Sequence, residues 1–269
     1  MRTMVVGASK GLGKALIEGL GEAGDTLIGV SRSKPEGLSA QPAVQVQWVA
    51  ADLSQPRIAA QQLEQAVAEQ GLDTLIYNLG IWEERAFSPE YDFLMDDDEQ
   101  IEAIVSCNIT ATLLVIKRLL PTLLQSPRPR IILTGSTSGL TQSGRPEVSF
   151  GASKFALRGI ADALREGYRQ QHLGVTCLNL GYLNTEDSLT TPRDVAERQG
   201  EGQLIPVHDV VQVVRMALSL SSASFVRELT LPAILDERFR AAVTTDPPLH
   251  PPVHGGLSWK VEIPPPSRP

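Results

Sequence analysis

Three glycines mark a turn near the start of the chain, in the segment MVVGASKGLGKAL. Gly7, Gly11 and Gly13 stand between an apolar run and a helical pattern. Glycines permit a tight turn and let backbone amides approach a pyrophosphate, which the positive end of the next helix then favours. The pattern therefore predicts a dinucleotide-binding turn. Its predicted contacts are Gly7, Ser9, Lys10, Gly11, Leu12 and Gly13.

Basic side chains near this turn indicate which dinucleotide it binds. The second apolar run ends in Ser31 and Arg32, at a place where an acidic residue would select NAD through the adenosine ribose. Arg32 and Lys10 suit a 2′-phosphate instead, because a guanidinium binds phosphate through a planar fork of donors. The sequence therefore predicts NADP(H) as the cofactor.

The elements that position these residues are short β-branched runs alternating with helical patterns. This order predicts a single doubly wound parallel sheet, Rossmann-like, with helices on both faces. Ligands bind such a sheet at the carboxyl ends of its strands, which is where these motifs fall. Strands are predicted over residues 3–6, 26–30, 45–49, 73–77, 130–134 and 175–179, and helices over 12–23, 57–70, 97–124 and 152–171.

The late part of the chain differs in composition from the rest. We predict one domain over residues 1–235, with a polar substrate lid over about 183–205 that contains Pro192 and two glycines. Residues 236–269 are rich in proline and lack a periodic pattern. They predict a C-terminal extension that either packs along the domain or hangs free.

The overall composition disfavours several classes of protein. The 269 residues carry a formal charge of −7, which disfavours nucleic acid and anionic membranes as partners. Cys107 and Cys177 lie in apolar runs without metal-ligand spacing, so we expect buried free thiols and no metal. The apolar run ATLLVIKRLLPTLL is interrupted by Lys117, Arg118 and Pro121. With no apolar leader before the first strand, we expect a cytoplasmic protein without a membrane partner.

The spacing Gly-x-x-x-Gly-x-Gly and the element order over about residues 3–235 resemble the short-chain dehydrogenase/reductase family. The resemblance implies hydride transfer between a nicotinamide cofactor and a small-molecule substrate. It also implies a homodimer or homotetramer built on the helices around 97–124 and 152–171. In the segments AADLS, YNLG and NLGYLNT it implies further cofactor contacts at Asp52, Leu53, Asn78, Gly80, Gly181 and Thr185.

The family's four catalytic positions match Asn108, Ser136, Phe150 and Lys154. By this resemblance, the Asn holds a water that relays protons to the Lys, and the Ser donates a hydrogen bond to the substrate oxygen. The Lys binds the nicotinamide ribose and lowers the pKa of a Tyr at the position of Phe150. A benzyl side chain has no proton to give, and a lost general acid costs about 10²- to 10⁴-fold in rate.

Three explanations fit Phe150. An engineered Tyr→Phe exchange would disable an otherwise intact site while preserving its packing. A natural Phe suits hydride addition to an activated C=C bond, because the enolate that forms takes its proton from solvent or substrate. Alternatively, the protein binds NADPH without turnover, as a sensor or scaffold. The sequence favours an oxidoreductase acting on a carbonyl or conjugated enone, and it leaves the three explanations open.

Four further residues are predicted to contact the substrate: Trp82, Ser138, Arg145 and Tyr182. Trp82 is able either to stack on a planar or ring substrate or to cover the edge of the sheet. Tyr182 follows Gly181 directly, and a packing or substrate-contact role is favoured over that of a surrogate acid, since an acid must lie within hydrogen-bond reach. Arg145 would favour a carboxylated substrate, although a surface position is expected for an arginine in a polar loop.

Overall fold

A computed structural model describes residues 1–236 of the chain. Apart from Asp236, the predicted C-terminal extension lies outside these residues. The strands are β1 (Arg2–Val6), β2 (Thr26–Ser31), β3 (Gln45–Ala50), β4 (Thr74–Tyr77), β5 (Arg130–Thr134), β6 (Gly174–Leu180), β7 (Leu183–Asn184), β8 (Ile205–Pro206) and β9 (Glu228–Leu231). The helices are α1 (Gly11–Gly19), α2 (Pro56–Val67), α3 (Asp98–Val105), α4 (Ala111–Leu123), α5 (Val148–Gly167), α6 (Arg193–Gly200) and α7 (Val207–Ser219).

Seven of the strands form one parallel sheet in the order β3-β2-β1-β4-β5-β6-β9. Strand order reverses between β1 and β4, and a crevice opens at such a point beyond the carboxyl ends of the strands. The predicted doubly wound fold is confirmed. The short strands β7 and β8 form a separate parallel pair that joins the two ends of the predicted lid.

Two apolar layers hold the helices on the sheet. Successive strand residues point to opposite faces, so Met4 and Val6 pack with Leu119 of α4, whereas Val5 packs with Leu16 of α1. Each of these side chains is at most 1% exposed. At about 25 cal/mol for each Å² of apolar surface buried, these layers account for most of the favourable free energy of folding.

The segment from α3 to α4 is one continuous helix with a π turn at Ser106–Thr110. By length and apolar composition it is capable of crossing a membrane, but half of its apolar window is buried inside the fold. Leu119 and Leu123 are fully buried, while Lys117 and Arg118 face outward. A core helix has this same composition, and the helix predicted over 97–124 continues through Lys117, Arg118 and Pro121.

Three strands and two helices were not predicted. β7 and β8 have two residues each, too few for a sequence pattern, and β9 is half-exposed. α6 is strongly polar, and α7 is rich in valine, a β-branched residue that favours strands. The helix predicted over 152–171 begins earlier, at Val148, so Phe150 lies within its first turn.

Candidate active site

The glycine turn joins β1 to α1 and leaves no space for a side chain at Gly7 or Gly13. Gly7 has a φ of +84° and its amide donates to the Val30 carbonyl at 2.9 Å. A Cβ at Gly13 would lie 1.9 Å from the Gly7 carbonyl oxygen, and one at Gly7 would lie 2.9 Å from the Leu79 backbone. Glycine is therefore required for α1 to begin this close to the sheet, with its N-terminus facing the crevice.

One half of the crevice is a cavity of about 860 Å³ beside β2 and β3. Lys10, Ser31, Arg32, Asp52 and Leu53 line it, together with part of the glycine turn. Arg32 and Lys10 are exposed, and neither forms an ion pair within the described 236 residues. Both cations are therefore available to an anionic ligand. We call this cavity the basic half.

Asp52 is the one acidic residue among the predicted cofactor contacts, and the family resemblance implies that it contacts adenine. Its Oδ1 accepts a hydrogen bond from the Ser54 amide at 3.0 Å. Hydrogen bonds from Ser54, and to a smaller degree the charge of Arg32, hold the pKa of Asp52 below its ordinary value. The carboxylate therefore remains a hydrogen-bond acceptor at neutral pH.

The other half of the crevice is a cavity of about 700 Å³ beyond β4, β5 and β6. It shares Gly7, Ser9, Lys10, Leu79, Gly80 and Trp82 with the first cavity. We call it the aromatic half, for the rings that line it. The structure brings the following predicted residues together here: Gly11, Leu12, Asn78, Trp82, Ser136, Ser138, Arg145, Phe150, Lys154, Gly181, Tyr182 and Thr185. Gly13 and Asn108 are also predicted site residues, but they line neither cavity.

Asn108 lies in the π turn and is only 2% exposed. Its Oδ1 accepts from the Ile81 amide, and its Nδ2 donates to the Ile81 carbonyl, both at 2.8 Å. The same Nδ2 contacts Ser153 Oγ at 3.0 Å. Asn108 therefore fastens the loop after β4 to α5. π turns occur frequently at functional sites because the extra residue redirects a side chain.

Lys154 is buried beneath the aromatic half, with Nζ donating to the Thr134 carbonyl at 3.0 Å. A Cβ at Gly80 would lie 3.2 Å from this amine, so the glycine leaves room for it. Lys154 has no carboxylate partner among residues 1–236, and burial penalises its charged form and lowers its pKa to about 8. The amine is thus partly deprotonated in mildly alkaline solution.

Ser136 follows β5 and begins a short turn that packs on α5. Its Oγ accepts from the Ser138 amide at 3.1 Å. Its hydroxyl hydrogen has no acceptor within residues 1–236, so it is free to donate to a ligand in the cavity. A Cβ at Gly139 would lie 2.9 Å from the Lys154 backbone, so glycine allows the contact that brings Ser136 near Lys154.

Phe150 lines the same cavity as Ser136 and Lys154 and is 7% exposed. Its ring meets Phe87 edge-on at 5.3 Å between centroids and Trp82 at 6.3 Å. The Lys154 amine lies 5.2 Å from the same ring. Phe87 also contacts Tyr182 at 5.7 Å, so four aromatic rings form one cluster.

Two buried glutamates hold this cluster, and neither was predicted from the sequence. Glu83 Oε1 accepts from the Phe150 amide at 2.9 Å, and Glu147 Oε1 accepts from the Phe87 amide at 3.0 Å. Their side chains are 0% and 2% exposed. Carboxylates at the start of α5 interact favourably with the positive N-terminal end of the helix dipole. Phe87 takes a left-handed φ of +68°, which costs a non-glycine residue about 1 kcal/mol and marks a constrained loop.

Arg145 was expected at the surface, and that expectation is wrong. Its Nη2 lies 2.7 Å from Asp236 Oδ2, and the two side chains are 3% and 2% exposed. The guanidinium carbon lies 4.5 Å from the centre of the Tyr182 ring. A loop residue becomes buried here because a carboxylate from a distant segment and an aromatic ring enclose it. Asp236 could not be associated with Arg145 from the sequence, since 91 positions separate them.

The predicted lid begins directly after Tyr182. Thr185 contacts the glycine turn, since a Cβ at Gly11 would lie 3.2 Å from the Thr185 Cβ. Gly181 donates to the Leu231 carbonyl at 2.9 Å, which fastens this loop to β9. Leu183 and Asn184 pair with Ile205 and Pro206, so the lid is closed at its base by β7 and β8.

Comparison with known proteins agrees with this geometry. The family model described as short chain dehydrogenase matches residues 2–194. The chain is 28% identical over 202 residues to a 3-ketodihydrosphingosine reductase of Bacteroides thetaiotaomicron, covering 74% of this chain and 70% of that protein. It is 27% identical over 196 residues to an NADPH-dependent pterin aldehyde reductase of Arabidopsis thaliana, covering 68% and 75%.

A solved structure shows the same fold at lower identity. An alcohol dehydrogenase from Thermococcus sibiricus, complexed with 5-hydroxy-NADP, superimposes with a TM-score of 0.68 at 17% identity. The match covers 87% of this chain and 96% of that one. The glycine turn, the divided crevice and the family match lead to one conclusion: the chain belongs to the short-chain dehydrogenase family of oxidoreductases.

Proposed function

We propose that this chain is an NADPH-dependent oxidoreductase that transfers hydride to a carbonyl or conjugated enone of a small organic substrate. One observation carries the proposal: a crevice leads from unpaired cations at Arg32 and Lys10 to Ser136 and Lys154. The NADP complex of the similar alcohol dehydrogenase and the NADPH-dependent relative from Arabidopsis support the choice of cofactor.

The residues present fit this cofactor. The glycine turn would hold the pyrophosphate, Arg32 and Lys10 the 2′-phosphate, and Asp52 and Leu53 the adenine. Asn78, Gly80 and Lys154 would contact the riboses, with Gly181 and Thr185 beside the nicotinamide. When bound, NADPH supplies the hydride. Gly7 and Gly13 allow the turn to pack directly against neighbouring backbone, and a turn this tight would let a pyrophosphate approach its amides.

The residues around the reacting oxygen contribute unequally to stabilising its charge and supplying its proton. The Ser136 hydroxyl is free to donate a hydrogen bond as charge develops on that oxygen, and one such donor contributes about 3 kcal/mol. The Lys154 ammonium stabilises the same charge, and more strongly in a buried site than in water. Phe150 stands where a proton donor is needed and offers none. A carbonyl substrate is therefore expected to react slowly in this chain.

A conjugated enone avoids this deficiency, because carbon protonation of the enolate from solvent does not require the missing hydroxyl. The apolar surface that Phe87 and Trp82 complete around Phe150 favours this second function, because it suits the carbon skeleton of an enone. A Tyr→Phe exchange would preserve the same ring contacts. A third candidate, NADPH binding without turnover, is favoured only by the missing acid.

Two measurements test the proposal. NADPH binding is followed by quenching of tryptophan fluorescence, since Trp82 lies on the rim of both cavities and is 54% exposed. NADPH consumption is then measured against a panel of ketones and enones, for this chain and for Phe150→Tyr. We expect turnover of enones by the unchanged chain, and a gain of about 10²- to 10⁴-fold with ketones in the variant.

The outcomes separate the three explanations. A gain with ketones in Phe150→Tyr, with no turnover of enones by either form, identifies Phe150 as a disabling exchange. Binding without turnover in both forms supports a sensor or scaffold. An absence of NADPH binding would overturn the proposed function.

We further propose a cytoplasmic homodimer or homotetramer, and that the chain is organised as a domain over residues 1–235 followed by the extension. Large apolar side chains are exposed on the outer faces of α3, α4 and α5, where a subunit interface would cover them: Val105, Leu113, Val148 and Phe155. Both cysteines are buried free thiols, which suits a reducing compartment. Sedimentation of the unchanged chain against Leu113→Glu tests the assembly, and a monomer at all concentrations would contradict it.

A further inference from the structure

Arg145 has a donor that no group in the described structure satisfies. Its Nη2 is bound to Asp236, but its buried Nη1 has no hydrogen-bond partner within residues 1–236. Arg145 lines the aromatic half of the crevice. A buried donor without a partner costs free energy, so such a group in a cavity wall indicates a ligand that supplies the acceptor.

The position of this guanidinium is fixed from two sides. Asp236 binds it at 2.7 Å, and the Tyr182 ring stacks against it at 4.5 Å. With both side chains of the ion pair at most 3% exposed, the guanidinium is unable to turn toward water. Its remaining donor is therefore held in place for recognition, at no further cost in side-chain entropy when a ligand binds.

The charge of Arg145 is already balanced by Asp236. An incoming carboxylate would be attracted to the guanidinium and repelled by the Asp236 carboxylate behind it, and it would lose its hydration. Glu186, which also lines this half, adds to the repulsion. An uncharged oxygen acceptor gains the hydrogen bond without that repulsion and is cheaper to desolvate.

The rest of the wall is suited to a flat apolar group. Trp82, Phe87, Phe150 and Tyr182 form the four-ring cluster, with centroids 5.3–6.3 Å apart in its contacts. Aromatic rings at such spacings prefer edge-to-face or offset contact, which a further ring is able to extend.

We propose that the aromatic half binds substrates that combine an aromatic ring with an uncharged oxygen acceptor, and that Arg145 Nη1 donates to this oxygen. Arg145 then selects against carboxylates, contrary to what an isolated arginine would do. This inference rests on the proposed function and specifies the class of substrate for the same site.

Equilibrium binding of two small probes tests the inference without requiring turnover. Acetophenone and benzoate share a ring and differ in the charge of the oxygen group. Binding of each to the chain loaded with NADP⁺ is measured by ligand-observed NMR. We expect acetophenone to bind more tightly than benzoate. We expect Arg145→Met to weaken acetophenone binding by about tenfold or more, as for a lost hydrogen bond to a charged group.

Two further variants sharpen the result. Asp236→Asn leaves the guanidinium without its counter-ion, so benzoate should gain about tenfold in affinity while acetophenone changes little. Arg118→Met is the matched control, because Arg118 is an exposed residue of α4 that lines neither cavity, and it should change neither affinity. If Arg145→Met fails to fold, the double variant Arg145→Met/Asp236→Asn removes both charges and carries the same expectation for acetophenone.

Equal acetophenone affinity with and without Arg145 would overturn the inference, as would tighter binding of benzoate by the unchanged chain or no binding of acetophenone. NADPH binding to the unchanged chain is measured separately by fluorescence. Its absence overturns the proposed function, and the two probes are then compared on the chain without nucleotide, where dependence on Arg145 decides the inference independently.

Discussion

The two halves of the crevice are built on different principles. The basic half is formed by backbone turns and exposed charged side chains. Each of them lies directly after a strand in the sequence. The aromatic half is formed by side chains from segments far apart in sequence, held by the buried carboxylates of Glu83, Glu147 and Asp236. The comparison shows that the basic half depends on local geometry, whereas the aromatic half depends on tertiary contacts.

The glycine turn gives the largest test of this difference. In Gly13→Ala, the new Cβ would lie 1.9 Å from the Gly7 carbonyl, so the turn must deform. We expect NADPH affinity to fall by more than about 100-fold, because the loss involves several backbone hydrogen bonds to phosphate at once. Fluorescence titration measures the effect.

Gly159→Ala is the control for this substitution. Gly159 lies in α5 with nothing within 4 Å of its added Cβ, and alanine should raise the free energy of unfolding by up to about 1 kcal/mol. Unchanged affinity in Gly13→Ala would show that the basic half does not depend on the turn.

The pH dependence of stability tests whether the charge of Lys154 is buried beneath the aromatic half. The pKa of Lys154 is about 8 in the folded chain against an ordinary 10.5, so the unfolded chain binds more protons between these values. The free energy of unfolding should therefore gain roughly 3 kcal/mol from this group as pH rises from 8 to 10.5.

Chemical denaturation of the unchanged chain and of Lys154→Met over this pH range isolates the contribution. Burial raises the pKa of the Cys177 thiol to about 11. This thiol is present in both proteins, so its effect cancels in the difference except for its charge interaction with Lys154. Parallel pH profiles for the two proteins would contradict the assigned burial of the Lys154 charge.

Arg32 tests whether exposed charge alone selects the cofactor. Arg32→Leu should weaken NADPH binding by about 10- to 100-fold, the loss of one charge-assisted contact, and leave NADH binding unchanged. Isothermal titration with both nucleotides measures the ratio, and Arg118→Leu serves as a surface control. An equal loss for NADPH and NADH would mean that Arg32 does not contact the 2′-phosphate.

Glu83 gives the smallest effect and tests the support of the aromatic half. Glu83→Gln removes the negative charge that accepts from the Phe150 amide at the start of α5. The free energy of unfolding should fall by about 1 kcal/mol. The neighbouring Glu84 is exposed, so Glu84→Gln should have no measurable effect. Equal stability of the two variants would show that Glu83 does not support the cluster.

The same division explains what the sequence predicts. The alternation of strands and helices predicted the sheet, since hydrophobic period and short connections are local properties. The glycine spacing predicted the turn for the same reason. Phe150 and Lys154 were placed together because four residues bring side chains to one helical face.

The residues of the aromatic half that depend on tertiary contacts show no such pattern in the sequence. Glu83 stands in the polar segment GIWEERAF, where an acidic residue is ordinarily solvated. Phe87 has a left-handed conformation that its residue type does not indicate, and Arg145 is buried by a carboxylate 91 positions away. These positions follow from packing, which a single sequence does not display.

The pairing of Leu183 and Asn184 with Ile205 and Pro206 has a consequence for how substrate range changes. Because both ends of the intervening segment are anchored to each other, residues can be added or removed beyond Thr185 without displacing Thr185 from the glycine turn. Each doubling of such a loop costs only about 0.6 kcal/mol in closure entropy. Insertions and deletions in this segment should therefore alter substrate specificity during evolution at little cost in stability, while the cofactor site stays unchanged.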